Sequence, residues 1–187
     1  MATITTTAEK LKGTFTAMKG DFKYTSAMQA PRVQKVVISI GVGSVSDKKK
    51  RELILDRLTK LTGQKPALRN AKKAIATFKV RVGDLSGYQV TLRGARMQSF
   101  LDKLIHIVFP RVRDFRGIPT TAIDEMGNIT LGFKEHIVFP ETADEEAKDI
   151  FGLAVTITTT AKNKKEAEAF LRHLGIPLRE AGSEAKK

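Results

Sequence analysis

The sequence predicts an α+β protein with a two-layer fold: a mainly antiparallel sheet carries helices on one face and leaves its other face open. Three observations lead to this fold class. Strand and helix patterns are interspersed along the chain. The strand segments alternate apolar with polar residues, which is typical of a sheet with one buried face. Glycines stand between two neighbouring strand patterns, which favours antiparallel pairing.

Two helices and a strand are predicted in the first third of the chain. Over 8–22, large apolar residues recur at steps of four, three and four, which marks one face of a helix. Residues 32–43 alternate and end on two glycines, which indicates a strand followed by a turn. A helix over 48–61 can be capped by Ser46 or Asp47, and a proline ends it.

The middle of the chain predicts a hairpin and a long helix. Segments 76–82 and 88–94 both alternate and are joined through glycines, so an antiparallel pair is expected. Apolar residues then repeat at helical spacing over 95–108, and Pro110 stops that helix. The turn-rich stretch 110–128 is predicted to be a long exposed connection.

The last third adds two strands and one helix. Segments 128–133 and 153–160 alternate as strands do. Asn163 followed by Glu166 matches a capping box that opens a helix, and Gly175 ends it.

Length and composition set limits on the class of protein. With 187 residues and 41% hydrophobic content, we expect one folded domain over 1–180 and a flexible tail over 181–187. The absence of cysteine excludes disulfides and thiolate chemistry. No apolar run reaches the roughly 18–20 residues of a membrane span, and the start lacks the features of a secretory signal, so we expect a soluble protein with no cleaved leader and no membrane partner.

Charge is distributed unevenly along the chain. A net charge of +13 repels itself and points to an anionic partner, more often nucleic acid than a membrane surface. Between Asp56 and Asp84 the chain has eight lysines and arginines and no carboxylate, whereas residues 120–151 carry eight acids and two lysines. The sequence therefore predicts one surface for phosphate and another for a different partner.

Catalytic and metal-binding patterns are not apparent in the sequence. The three histidines are far apart and none pairs with another at helical spacing. The pattern "GVGSVS" lacks the third glycine and the downstream acid of a dinucleotide site, and Ser86 is off-centre for a nucleophile elbow. We expect no enzymatic activity, no cofactor, no metal and no small-molecule substrate.

Residues suited to RNA lie in and beside the acid-free stretch. RNA recognition uses cations for phosphates, small residues where backbone approaches, and polar side chains for 2′-hydroxyls. If Val90 and Leu92 face the core, their neighbours Thr91 and Arg93 face outward. Residues 63–93 contain only two aromatic residues, Phe78 and Tyr88, so we expect base stacking to make a minor contribution to RNA binding. The predicted RNA-binding residues are Lys35, Ser39, Gly41, Gly43, Gln64, Lys65, Arg69, Thr91 and Arg93.

Three other functions remain open from the residues alone. A different basic RNA-binding module would share the charge pattern. A nucleic-acid-modifying enzyme would share the basic sheet but needs a titratable pair in a pocket. A peripheral membrane protein fits the charge, although no basic amphipathic helix is evident.

Several motifs together resemble a known family. "PRVQKVVISIGVG", "LTGQKP", "AKKAIATFKVR", "VTLRGARMQSFLDKL", "FPRVRDFRG", "GNITLGFKEHIVFPE" and "VTITTTAKNKKEAEAFL" occur in the order seen in the family of ribosomal protein five of the large subunit, which binds 5S rRNA. The resemblance runs from about residue 28 to residue 179. It implies a two-layer α+β fold whose open sheet face docks onto 5S rRNA in the central protuberance of cytoplasmic ribosomes, beside large-subunit rRNA and other central-protuberance proteins.

The resemblance also implies two further contacts. The loop that contains "NAKKAIATFKVR" would contact peptidyl-site tRNA through Lys72, Lys73, Lys79 and Arg81. The segment "FPRVRDFRG" and the acidic stretch after it would form an intersubunit bridge to a small-subunit head protein, with Arg111, Arg113, Arg116, Glu141, Asp144 and Glu145. The chain departs from the family at Ser39, where the family usually has Asn, and in "IDEMGN", "FPETADE" and "FGLAVTI".

Overall fold

The structure, a computed structural model, describes residues 5–45, 47–142 and 150–179. It confirms the α+β prediction, because these residues form one five-stranded antiparallel sheet together with helices. In chain order the elements are α1 (Thr7–Phe22), β1 (Val33–Gly41), α2 (Lys48–Thr62), β2 (Ala67–Asn70), β3 (Leu85–Leu92), α3 (Gly94–Lys103), β4 (Ile129–Phe133), β5 (Leu153–Thr159) and α4 (Lys164–Leu174). The strand order is β2-β3-β1-β5-β4.

The described residues fall into two compact units. The first unit is drawn from Met1–Val36, Arg93–Leu131 and Thr156–Lys187, and the second unit from Val37–Leu92 and Gly132–Val155. The single domain over 1–180 stays a prediction, and the tail over 181–187 lies outside the described residues.

The first unit is held by helix packing and long-range hydrogen bonds. Helix α1 packs against α3 and α4. Its N-terminus has a capping box in which Thr6 and Glu9 exchange hydrogen bonds. The Thr7 N–H donates to Asp102 Oδ1 at 2.7 Å, and Lys10 Nζ donates to the Leu174 carbonyl at 2.9 Å. The predicted helix over 8–22 is confirmed with its start one residue earlier.

Helix α2 of the second unit begins and ends on local signals. Asp47 is the N-cap, and its Oδ1 accepts the Lys49 N–H at 2.9 Å. Gly63 ends the helix with a left-handed φ of 64°, which glycine adopts without steric cost. Ile54, Leu58 and Leu61 form its buried apolar row, whereas Leu55 is half-buried.

The predicted strand over 76–82 is wrong. Residues Ala76–Phe78 form a 3₁₀ turn, flanked by a single bridge between Ile75 and Val80. The partner of β3 is instead β2, whose Arg69 lies opposite Gly87. All four β2 residues are exposed, so this edge strand has no buried row and no alternation that a sequence pattern could reveal.

The predicted helix over 95–108 is confirmed, and its helical backbone ends at Arg111, one residue beyond the predicted stop at Pro110. After α3, Leu104–Val108 form a wide π turn in which the Phe109 N–H reaches the Leu104 carbonyl, and helical backbone continues over Phe109–Arg111. Proline lacks an N–H and its ring clashes with the carbonyl four residues earlier. The wider turn shifts the hydrogen bonding by one residue, which accommodates Pro110.

The connection over 110–128 is only partly exposed, contrary to the prediction. Ile118 and Ile123 are buried. The Ile118 N–H donates to the Pro177 carbonyl at 2.9 Å, and the Arg179 N–H donates to the Ile118 carbonyl at 2.8 Å. Backbone pairing with the segment after α4 therefore ties this connection into the first unit.

The predicted Asn163–Glu166 capping box does not form. Asn163 makes no side-chain cap, while the buried Glu166 accepts the Lys162 N–H at 2.7 Å. Glu166 also accepts a hydrogen bond from the Tyr24 hydroxyl. Burial, followed by this hydrogen bond, raises the pKa of Tyr24. Glu166 thus joins the segment before β1 to the start of α4.

Replacing Glu166 with alanine is expected to lower the free energy of unfolding by about 2–3 kcal/mol, because the buried Tyr24 hydroxyl and the partly buried Lys162 N–H lose their acceptor. The measurement is urea denaturation. The matched control is Glu168→Ala, which removes a partly exposed pair with Arg172 at 2.9 Å and should cost less than about 0.5 kcal/mol. Equal losses for the two variants would contradict the structural role of Glu166.

Candidate nucleic-acid interface

The second unit carries a group of exposed cations without counter-charges. Six lysines and arginines of the stretch between Asp56 and Asp84 are exposed and are also predicted to contact RNA. Among the described residues, no carboxylate oxygen lies within 4.0 Å of a charged nitrogen of these six side chains, whereas Lys60 outside the group pairs with Asp56 at 2.9 Å. The group, called here the cation group, consists of Lys65, Arg69, Lys72, Lys73, Lys79 and Arg81.

Asp84, the acid that ends this stretch, is occupied by the backbone. Its Oδ2 accepts the Arg81 N–H at 2.7 Å. Its carbonyl accepts the Ala71 N–H at 2.8 Å, and the Gly83 N–H donates to the Ala71 carbonyl at 3.0 Å. Asp84 therefore closes the neck of the loop between β2 and β3, and its carboxylate does not pair with a cationic side chain.

The β2–β3 loop (residues 71–84) carries all four of the predicted tRNA-contacting residues. Beyond the neck, Ile75 and Val80 exchange backbone hydrogen bonds of 3.0 and 3.2 Å. Lys79 closes the tip with a left-handed φ of 52° and an N–H bond of 3.0 Å to Ala76. Every residue over 72–79 is exposed. The structure thus gathers Lys72, Lys73, Lys79 and Arg81 on one hydrogen-bonded loop.

The strands of the second unit confirm the predicted alternation. On β3, Val90 and Leu92 are buried and Thr91 is half-buried. On β1, Ile38 and Ile40 are buried and Ser39 is half-buried. Ser39 and Thr91 are thus more accessible than the apolar residues on either side of them, as the parity of those residues predicts.

Gln89 is a candidate that the sequence reasoning missed. It is half-buried on β3, two residues from Thr91 and therefore on the same face of the strand. Its Oε1 accepts a hydrogen bond from Arg69 Nε at 2.5 Å. Arg69 is opposite Gly87 in the register, which places its side chain on that face as well. The parity that indicated Thr91 could have indicated Gln89.

Two glycines, at the end of β1 and just after it, are not required by the fold, whereas a third on β3 is. Gly41 and Gly43 are exposed and have no left-handed φ. A Cβ on Gly41 would meet nothing within 4 Å, and one on Gly43 would lie 3.9 Å from the Ser86 carbonyl oxygen. A Cβ on Gly87 would lie 2.5 Å from the Ile40 carbonyl oxygen. Gly87 therefore serves strand pairing, while Gly41 and Gly43 leave open backbone at the surface.

The remaining predicted rRNA-binding residues fall in both units. Gln64 is half-buried and Lys65 exposed, directly after the Gly63 cap of α2 in the second unit. Lys35 is half-buried on β1, and Arg93 is exposed at the N-cap of α3, and both belong to the first unit.

The described residues of the predicted intersubunit bridge are also divided between the two units. Arg111, Arg113 and Arg116 are exposed in the first unit, and the Arg116 carbonyl accepts a hydrogen bond from Arg179 Nε at 3.2 Å. Glu141 is exposed in the second unit. Asp144 and Glu145 lie outside the described residues.

The second unit contains a buried histidine, and its contacts indicate a structural role. His136 is fully buried and its ring stacks on Phe151, with the ring centroids 4.0 Å apart. Its Nδ1 accepts the Phe151 N–H at 3.3 Å. Within the described ranges, no group of three or more His, Cys, Asp and Glu side chains could hold a metal ion. The helices described are all too short or too polar to cross a membrane.

Comparison with known proteins identifies the family. Residues 26–81 match the profile described as ribosomal protein L5, and residues 86–178 match the profile for the C-terminus of the same ribosomal family. The large ribosomal subunit protein uL5 of Ureaplasma urealyticum is 48% identical over 162 residues, which cover 86% of this chain and 88% of the relative. The chain belongs to the ribosomal protein L5 family. The resemblance seen in the sequence is thereby confirmed.

Further members of the L5 family show similar agreement. The large ribosomal subunit protein uL5 of Flavobacterium johnsoniae is 49% identical over 164 residues, covering 87% of this chain and 90% of the relative. The corresponding protein of Anaeromyxobacter sp. is 46% identical over 158 residues, covering 84% and 88%. The cation group thus belongs to an RNA-binding ribosomal protein that functions in translation.

Proposed function

We propose that the chain is a non-catalytic structural constituent of the large ribosomal subunit in cytoplasmic ribosomes, where it binds 5S rRNA in the central protuberance. The observation that carries the proposal is the cation group, six exposed charges that find no carboxylate among the described residues. Phosphates of an RNA supply the missing negative charge. Family membership and the names of the relatives support the ribosome as the place of binding.

In the second unit, cations, polar side chains and glycines each make a different contact with 5S rRNA and adjacent large-subunit rRNA. Lys65 and Arg69 neutralise phosphates, which fixes the register of the protein on the RNA. The accessible polar groups of Ser39, Gln89 and Thr91 bond 2′-hydroxyls and base edges, which a shallow groove displays. Gly41 and Gly43 let RNA backbone approach closely.

In the first unit, Lys35 and Arg93 are further proposed contacts with rRNA. Lys35 is half-buried and Arg93 is exposed, so both side chains are at least partly accessible to a partner. A long cationic side chain at such a position can reach a phosphate.

The β2–β3 loop contacts peptidyl-site tRNA in this proposal. Backbone hydrogen bonds at its neck and near its tip hold the loop in one conformation, and residues 72–79 are exposed. The loop carries Lys72, Lys73, Lys79 and Arg81. A cationic loop of fixed conformation loses little ordering entropy when it binds a polyanion.

An intersubunit bridge to a small-subunit head protein completes the proposal, together with contacts to other central-protuberance proteins. The accessible Arg111, Arg113 and Arg116 can bond acceptor groups of a partner, and the acidic stretch that includes Glu141 suits a basic protein. Asp144 and Glu145 remain part of the proposed bridge on the strength of their charge.

Replacing Lys72 and Lys73 together with alanine separates the two RNA contacts. We expect 5S rRNA affinity to stay within about twofold of the wild type, while tRNA leaves the peptidyl site about tenfold faster, because charge-assisted contacts are lost from one partner only. Filter binding with purified 5S rRNA and tRNA dissociation from ribosomes that contain the variant measure the two effects.

The control for this pair is a double variant at two exposed lysines of α1, Lys12→Ala with Lys19→Ala, which removes the same charge outside the proposed interface. It should change neither measurement. A large loss of 5S affinity in the Lys72 and Lys73 variant would assign the loop to the wrong RNA. Wild-type protein that fails to bind 5S rRNA would overturn the main proposal.

A further inference from the structure

The β2–β3 loop and the strand before it expose large apolar side chains as well as cations. Eight large hydrophobic residues are exposed in the described part of the chain, and four of them fall within 68–82. These four are Leu68, Ile75, Phe78 and Val82, with exposed fractions of 59, 47, 72 and 67%. Single exposed apolar residues are common, but a local concentration marks a contact surface.

Phe78 occupies a defined position on this surface. It lies in the turn between the hydrogen-bonded pair Ile75 and Val80, directly before the left-handed Lys79. Below the tip, the backbone bonds of Ala71 and Asp84 close the neck. Backbone hydrogen bonds at the neck and near the tip hold the loop in one conformation. The Phe78 side chain can therefore contact a partner without further ordering of the backbone.

The chemistry around Phe78 selects the class of partner. The loop that carries Phe78 also carries Lys72, Lys73, Lys79 and Arg81. No carboxylate lies between Arg57 and Gly83 in the sequence. A flat aromatic ring among unneutralised cations fits a nucleobase, which offers a face for stacking and a phosphate beside it. The sequence has two aromatic residues in this region, Phe78 and Tyr88, and predicts that base stacking is a minor contribution. Tyr88 is 4% exposed, which leaves Phe78 as the aromatic side chain free to stack.

We infer that Phe78 stacks on an exposed base face of peptidyl-site tRNA while the surrounding lysines and arginine hold the adjacent phosphates. This inference rests on the proposed contact between the loop and tRNA. It adds that recognition depends on a base face as well as on charge. Sequence-tolerant binding follows, since every base has a face on which an aromatic ring can stack.

The first test measures tRNA dissociation from the peptidyl site of ribosomes that carry Phe78→Ala, Phe78→Leu or Phe78→Trp. Loss of one stacked base is expected to make dissociation about tenfold faster for alanine, nearly as fast for leucine, and unchanged for tryptophan. Because Phe78 is exposed, the fold should be unaffected, which circular dichroism checks. A leucine variant equal to the wild type would overturn stacking, since an aliphatic side chain would then suffice.

Comparison with Lys72→Ala plus Lys73→Ala distinguishes two failures. If the lysine variant accelerates dissociation but Phe78→Ala does not, the stacking inference fails and the tRNA contact stands. If neither variant changes dissociation, the proposed tRNA contact itself fails, and the inference fails with it.

The second test places a photoreactive benzoylphenylalanine at position 78 in ribosomes that hold tRNA. We expect a crosslink to a tRNA nucleotide. The matched control is the same probe at Met126, which is also 72% exposed but lies outside the loop, and which should not crosslink to tRNA. A position-78 crosslink to a ribosomal protein in place of tRNA would overturn the inference.

Discussion

Replacing Gly87 with alanine is expected to lower the free energy of unfolding by about 2–4 kcal/mol. The new Cβ would lie 2.5 Å from the Ile40 carbonyl oxygen. Both positions belong to paired strand backbone, so neither can move without loss of ladder hydrogen bonds. Urea denaturation, followed by far-UV circular dichroism, measures the loss. Because β1 and β3 carry Ser39 and Thr91, 5S rRNA binding should weaken together with stability.

The matched control is Gly41→Ala, at a glycine with free space around it and no left-handed φ. Its free energy of unfolding should change by less than about 0.5 kcal/mol. Its 5S rRNA affinity should nevertheless fall, because a methyl group keeps RNA backbone at a distance. Equal destabilisation by the two alanines would show that close strand approach is not what requires Gly87. Unchanged RNA affinity in Gly41→Ala would remove this turn from the interface.

Replacing Lys65 and Arg69 together with alanine should weaken 5S rRNA binding by roughly 30–100-fold, since each contact with a phosphate contributes about 1–1.5 kcal/mol. Both side chains are exposed, so the free energy of unfolding should change by less than about 0.5 kcal/mol. Filter binding at fixed salt, together with urea denaturation, measures both quantities. The result would separate binding from folding at these two positions.

The control for this second prediction is Lys162→Ala with Lys165→Ala, two lysines of the first unit that are at most partly buried, near the start of α4. This variant has the same net charge as the Lys65 and Arg69 variant. If binding depends only on net charge, the two variants will weaken it equally. If it depends on the cation group, the Lys65 and Arg69 variant will lose far more affinity.

Elements with one buried row were predictable from the sequence. Helices α1, α2 and α4 and strands β1 and β5 present apolar residues at regular spacing because each buries one side. Periodicity fails where burial is absent or complete. Strand β2 is exposed throughout and has no pattern, whereas the alternation over 76–82 comes from a loop whose apolar and cationic side chains are both accessible.

Local rules did not suffice where tertiary contacts supplied an alternative. Pro110 ends a regular helix, yet a π turn before it satisfies the backbone in another way. The Asn163 and Glu166 pattern fits a capping box, but Glu166 serves Lys162 and Tyr24, and Tyr24 is far away in the sequence. Neither outcome follows from residues within one turn of the helix, which is the range of a capping rule.

The cation group was predictable because its signal is an absence of acids, which requires no coordinates. Side-chain parity also predicted the accessibility of Ser39 and Thr91. The role of Asp84 was not predictable, since nothing in the sequence distinguishes a carboxylate that bonds backbone from one that pairs with a lysine. The exposure of Phe78, in contrast to buried Tyr88, likewise depends on the loop conformation.

The salt dependence of 5S rRNA binding counts the phosphates that the protein neutralises. If about six phosphates are contacted, the logarithm of the association constant should fall with the logarithm of salt concentration with a slope of about −4 to −5. The Lys65 and Arg69 variant should reduce the steepness by about one to two units. A slope near zero for the wild-type protein would contradict the account, since Lys35, Lys65, Arg69 and Arg93 would then have no phosphates of 5S rRNA as partners.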